Sequence, residues 1–300
     1  MLLALGAVGC GPIDHDRARA PDRGGLEVVT TIGMLADAVE NIGGDRVEVE
    51  ALMGPGIDPH LYKASEGDVQ RLAEADLVLF SGLHLEAKLA DVLERIGDRA
   101  AAATDSIDRG RLLSPPEFKG QHDPHVWFDV GLWHDVVAHV RDVLIERDPA
   151  GRAVYERNAR RYLAELDALD AEVRRDLARI PPDRRVLITA HDAFNYLGRA
   201  YGLDVRGLQG ISTATEAGTS DVQHLARFIA ERRIPAVFVE SSVSPRAIEA
   251  VRAAVRARGF DVKEGESLFS DAMGDEGTPE GTYAGMVRHN VRAIVEGLTQ

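Results

Sequence analysis

Three hundred residues, 45% of them hydrophobic, are enough chain to bury a sizeable core and by length suggest two domains. The formal net charge of −14 argues against a nucleic-acid binder, which needs a basic surface, and suits a protein that gathers cations. Cys10 is the single cysteine, so no disulfide within the chain is available.

The chain opens with an uncharged run over 2–9 that ends at Cys10, followed by polar Gly/Pro/Asp/Arg sequence through Gly25. The run is too short to span a bilayer and lacks a basic leading segment. Residues 1–25 read as a truncated signal peptide with a lipoprotein tether at Cys10; the alternative is a disordered leader. Leu26–Ile32 then reads as a buried strand, and 34–42 as a helix stopped by Gly43-Gly44. A strand over 47–52 runs into the turn-dense stretch ending Asp58-Pro59-His60. Ser65 with Asp68 forms a capping box that opens a helix to Ala75. Strand Leu77–Phe80, a helix over 83–96 and a short Ala-rich strand over 100–104 follow, and this alternation predicts parallel strands with helical crossovers.

Residues 105–124 form a long loop, and loops of that length inside a domain are usually functional or disordered. It ends in Asp123-Pro124-His125, and a helix then runs to Arg147. Between Asp148 and Pro182, apolar residues from Tyr155 to Ile180 step by threes and fours. That spacing lines one face of a helix whose first turn Asp148 can cap, with Pro149 at its first position and Pro181-Pro182 stopping it. The rod would be about 45–50 Å long, a coiled-coil arm or a spine between two lobes. Beyond it the alternation repeats: strand 185–190, helix 193–201, strand 203–208, a turn-rich stretch over 210–219, helix 220–233, strand 236–239, helix 245–258, strand 260–263 and a last helix to Leu298. The expected fold class is therefore α/β, with a lobe over 26–147, a linker helix over 148–182 and a lobe over 183–300.

In open α/β sheets ligands bind beyond the carboxyl ends of the strands. Four side chains that suit a metal fall there: His60, His125, His191 and Asp271, two on each side of the spine. Three imidazoles and a carboxylate suit zinc, manganese or iron. The bland reading of each is a surface histidine or an Asp-Pro turn, although the repeated Asp-Pro-His tripeptide weakens it. His84, His122, His134, His139, His224 and His289 are explained by helical or flanking positions. Glu240, at a strand end, could orient a histidine through its free ring nitrogen or be a simple buried acceptor. Asp192 reads as a helix cap.

The segments Gly56-Ile57-Asp58-Pro59-His60-Leu61-Tyr62, Pro124-His125-Val126-Trp127-Phe128-Asp129, Ala190-His191-Asp192-Ala193-Phe194 and Leu268-Phe269-Ser270-Asp271-Ala272-Met273 carry a family resemblance. Ser81-Gly82-Leu83-His84-Leu85-Glu86 and Gly210-Ile211-Ser212-Thr213 add to it. From about Leu26 onward the chain resembles the TroA-type solute-binding proteins of bacterial manganese/zinc ABC importers. The resemblance implies two βα lobes joined by a rigid backbone helix, with one Zn²⁺ or Mn²⁺ held between them by His60, His125, His191 and Asp271. It also implies delivery to an ABC permease in the cytoplasmic membrane, an exported location in the periplasm or on the outer face of the cytoplasmic membrane, no enzymatic activity, and a monomer. A histidine at the third ligand position is similar to members that take either metal. The stretch over 110–123 holds one histidine and the chain one cysteine, which speaks against the zinc-only branch, where a His-rich loop and a disulfide are common. Such a spine also implies modest lobe motion, with local rearrangement near Asp271. A surface adhesin and a zinc hydrolase are the other classes; the hydrolase reading lacks both an open coordination position and a His-Glu-x-x-His motif.

Overall fold

The computed structural model describes residues 25–118 and 120–300, so the 1–25 tether with Cys10 lies outside the described residues, Gly25 excepted. The first lobe is built from β1 (Leu26–Ile32), α1 (Gly33–Gly43), β2 (Val47–Met53), α2 (Glu66–Glu74), β3 (Leu77–Phe80), α3 (Ala90–Ile96) and β4 (Ala100–Ala102). Its sheet is wholly parallel, in the order β2-β1-β3-β4. Every residue of β1 except Glu27 is buried, as a central parallel strand covered on both faces requires. The Ser65–Asp68 capping box is present at the start of α2.

The stretch over 83–96 is not one helix. Leu83 and His84 take left-handed backbone conformations (φ 53° and 66°), and only Ala90–Ile96 is α-helical. The cause is Glu86: its buried carboxylate accepts the Ser81 N–H at 2.7 Å, the Gly82 N–H at 3.2 Å and the Thr31 hydroxyl at 2.5 Å, which wraps the chain around the side chain. Satisfying a buried carboxylate outweighs a local helical preference.

After α4 (Val130–Arg147), capped by Asp129 Oδ1 on the Gly131 and Leu132 N–H groups, comes the spine α5 (Arg152–Leu177). It buries Tyr155, Ala159, Tyr162, Leu166, Leu169, Val173 and Leu177, the face its periodicity predicts. Full burial of each large apolar side chain stabilises by about 1.5–3 kcal/mol. At 26 residues the spine is about 39 Å long, shorter than the 148–182 rod, because Pro149–Gly151 forms a 3₁₀ turn. Asp148 does not cap it. Its carboxylate instead accepts from the Tyr155 hydroxyl at 2.7 Å and pairs with Arg46 at 2.7 Å. The α5 face packs on α1, α4, α6 and α9, so both lobes rest on one rod.

The second lobe comprises β5 (Val186–His191), α6 (Asn195–Tyr201), β6 (Asp204–Gln209), α7 (Thr219–Arg232), β7 (Ala236–Val237), α8 (Arg246–Arg256), β8 (Lys263–Glu264) and α9 (Tyr283–Thr299). Its strands pair in parallel, β5 with β6 and β7 with β8. The Phe238 N–H donates to the Ile188 carbonyl at 2.9 Å, and a parallel bridge joins Glu240 to Leu268. No helix among the described residues is long and apolar enough to cross a membrane.

Candidate metal centre

His60 sits in the loop after β2, His125 at the end of the long loop after β4, His191 is the last residue of β5, and Asp271 follows the Glu240–Leu268 bridge. All four lie beyond carboxyl ends of parallel strands, where the sheets leave a crevice. Each is at most 4% exposed. One ligand atom from each lies within 4.8 Å of those of the other three.

The separations are those of donors around one small ion. His60 Nε2 is 3.2 Å from His125 Nε2 and 3.9 Å from an Asp271 oxygen; Asp271 is 3.4 Å from His125 Nε2 and 3.3 Å from His191 Nε2. Bonds of about 2.0–2.2 Å in a tetrahedral shell put donors roughly 3.3–3.6 Å apart. Both Asp271 oxygens and His191 Nε2 are buried without a hydrogen-bond partner. Such groups cost free energy unless something binds them.

Two carboxylates stand behind the rings. Asp123 Oδ1 lies 2.8 Å from His125 Nδ1, and Glu240 Oε2 lies 2.6 Å from His191 Nδ1. Asp123 hydrogen-bonds the His125 ring, which fixes a proton on Nδ1 and turns Nε2 towards the centre, the arrangement that makes imidazole a good metal ligand. Glu240 approaches His191 as an ion pair, with neither His191 Nδ1 nor Glu240 Oε2 in hydrogen-bond geometry. Glu240 Oε1 accepts the Ala190 and His191 N–H groups at 2.7 and 2.9 Å, which meets its reading as a buried acceptor. Asp192 opens the 3₁₀ turn Asp192–Phe194, and its carboxylate accepts the Gly207 N–H at 2.6 Å.

Burial alone would lower every histidine here. It does so for His60, which falls to about 3. For His125, burial is outweighed by Asp123 and Asp271, and the ring rises to about 9. His191 is likewise raised well above the usual range against burial, by Glu240 and Asp271. Burial would raise Asp271, yet His191 and His125 hold it well below the ordinary carboxylate range. The four groups therefore form a charge-compensated cluster.

Sequence reasoning missed three supporting residues. Asp123 reads as a turn residue, although the repeated tripeptide hinted at more. Trp127 packs edge-on against His125 at 5.2 Å between centroids and donates to the Ser270 carbonyl at 3.1 Å, fixing the residue before Asp271. Thr213 donates to Asp58 from the other lobe. None of the six histidines set aside joins the cluster.

Residues 28–297 match the family described as the periplasmic zinc-uptake complex component A. The zinc-binding protein TroA of Treponema pallidum is 52% identical over 275 residues, covering 91% of this chain and 89% of that protein. The manganese-binding lipoprotein MntA of Bacillus subtilis is 48% identical over 275 residues, covering 91% and 90%. The solved structure of the periplasmic zinc-binding TroA from Treponema pallidum superposes with a TM-score of 0.90 at 51% identity, covering 92% of this chain and all of that one. With two βα lobes on a single long helix and a family match running from β1 to α9, the chain belongs to the zinc-uptake complex component A family of solute-binding proteins.

Proposed function

We propose that this chain is the extracytoplasmic metal-capturing component of an ABC importer, which takes one Zn²⁺ or Mn²⁺ ion on His60, His125, His191 and Asp271 and hands it to a membrane permease. The observation that carries this is the convergence of those four buried side chains, two from each side of the spine, within 4.8 Å of one another. The names of the relatives, zinc-binding and manganese-binding alike, support both cargoes. The chain is a carrier and not an enzyme, in keeping with its family. Lobes over 26–147 and 183–300 with a linker over 148–182, action as a monomer without nucleic acid, and a lipid anchor at Cys10 complete the reading. Lipoprotein relatives support the anchor.

Raw affinity for divalent ions follows the Irving–Williams order, so Zn²⁺ outcompetes Mn²⁺ in vitro whichever ion the cell supplies. The test is a titration of metal-free protein with Zn²⁺ and with Mn²⁺. One ion per chain is expected, with binding abolished in His191→Ala. A His191→Ala protein that binds as tightly as wild type removes the proposed site.

A further inference from the structure

The two metal-bearing loops of the first lobe leave opposite edges of its sheet, β2 and β4, and they are fastened to the second lobe very differently. The loop after β4 is tied to α6 at several points. The Tyr196 hydroxyl accepts the Leu113 N–H at 3.0 Å and donates to the Asp123 carbonyl at 2.9 Å, Asn195 donates to Asp123 Oδ2 at 3.1 Å, and Arg199 pairs with Asp129 at 3.0 Å. The loop after β2, which carries His60, has one hydrogen bond to the second lobe among the described residues: Thr213 Oγ1 to Asp58 Oδ2, at 2.5 Å.

That bond is placed to act on a ligand. The other oxygen of the same carboxylate accepts the His60 N–H at 2.9 Å, so a hydroxyl of the second lobe and a ligand of the first share one rigid group. Thr213 is 7% exposed, which keeps water from competing freely for Asp58. Separating the β4 edge breaks many contacts at once; separating the β2 edge breaks one.

Resting on the proposed metal site, we infer that the Thr213–Asp58 hydrogen bond is the latch of the cleft: the ion leaves by the β2 edge, and this bond sets the release rate. Thr213 is thus a positioning residue that holds His60 through Asp58 without touching the ion.

The test is the rate of Zn²⁺ release from loaded protein into excess chelator by stopped flow. Thr213→Val, which keeps the shape and removes the hydroxyl, should release about tenfold faster, the loss expected for a hydrogen bond to a charged group. Thr213→Ala should do the same and Thr213→Ser should restore the slow rate. Arg199→Ala, which breaks a tie on the other edge, should stay within about twofold of wild type. The visible spectrum of Co²⁺-loaded Thr213→Val should match wild type, because the ligands are intact. Release from Thr213→Val at the wild-type rate overturns the latch. So does equal acceleration by Arg199→Ala, which would make any interlobe tie sufficient, or an altered Co²⁺ spectrum, which would place the effect in the ligand shell. A wild-type protein that takes up no Zn²⁺ would instead remove the metal site itself.

Discussion

The tripeptide Asp-Pro-His occurs twice, and the two copies share a local fold but not an electrostatic role. In both, the aspartate accepts the histidine N–H, at 2.9 Å in Asp58–His60 and 3.0 Å in Asp123–His125. Asp123 then turns the same oxygen to the ring of its own histidine, whereas Asp58 gives its second oxygen to Thr213 across the cleft. The result is opposite proton affinity: burial takes His60 down to about 3, while Asp123 and Asp271 overcome burial and take His125 up to about 9. A short motif fixes a turn; the partner that the tertiary fold supplies decides what the turn's carboxylate does.

The comparison is sharpened most by pH. In metal-free protein near neutrality His60 is already neutral, but His125 holds a proton that the ion must displace. Each proton released costs about tenfold in affinity per pH unit below its pKa. Affinity should therefore fall at least about a hundredfold from pH 7.5 to 5.5 and keep rising with pH towards about 9. Competition titrations with a chelator of known pH dependence measure it, and equal affinities at the two pH values would break the contrast. Folding of the metal-free protein carries the same two signs. The raised His125 contributes stability that is complete below its unfolded pKa of about 6.5 and is lost as pH rises through about 9. The lowered His60 favours the folded state above about 6.5 and weakens it as pH falls towards about 3.

Exchanging the carboxylates comes next. Asp123→Asn removes the acceptor that orients the His125 ring and should weaken Zn²⁺ binding by about 10- to 100-fold. Asp58→Asn keeps an oxygen for the His60 N–H and loses only the charged acceptor for Thr213, so its loss should stay under about tenfold. Calorimetric or competition titration of the pair decides it. Equal losses would mean that the two aspartates serve their histidines alike.

Much of this is legible without coordinates, and the reason is local. The α5 face is written in a 3.6-residue period, and its predicted apolar positions are buried. The four candidate ligands are readable because strand ends are readable, and in a parallel sheet strand ends share one side. What the sequence conceals depends on contacts between distant segments. Trp127 reaches Ser270, Thr213 reaches Asp58 and Asn195 reaches Asp123, pairs 143, 155 and 72 residues apart. Glu86 shows the same limit at short range: the helical pattern over 83–96 gives way because a buried carboxylate collects Ser81, Gly82 and Thr31.

The smallest expected effect tests whether Asp123 acts alone. Its Oδ2 accepts from the Asn195 amide, which also donates to the Asp192 carbonyl at 3.0 Å and ties α6 to the His125 loop. In Asn195→Ala that oxygen faces a partly exposed position where water can replace the amide at little cost. The other oxygen still accepts both the His125 N–H and its ring nitrogen, so the orientation of the imidazole should survive. We expect Zn²⁺ affinity to fall by roughly threefold, well short of Asp123→Asn, as a neutral contact replaced by solvent should. A loss in Asn195→Ala as large as that in Asp123→Asn would move the difference between the tripeptides out of the carboxylate and into α6. His125 would then be held by the second lobe in the same sense that His60 is.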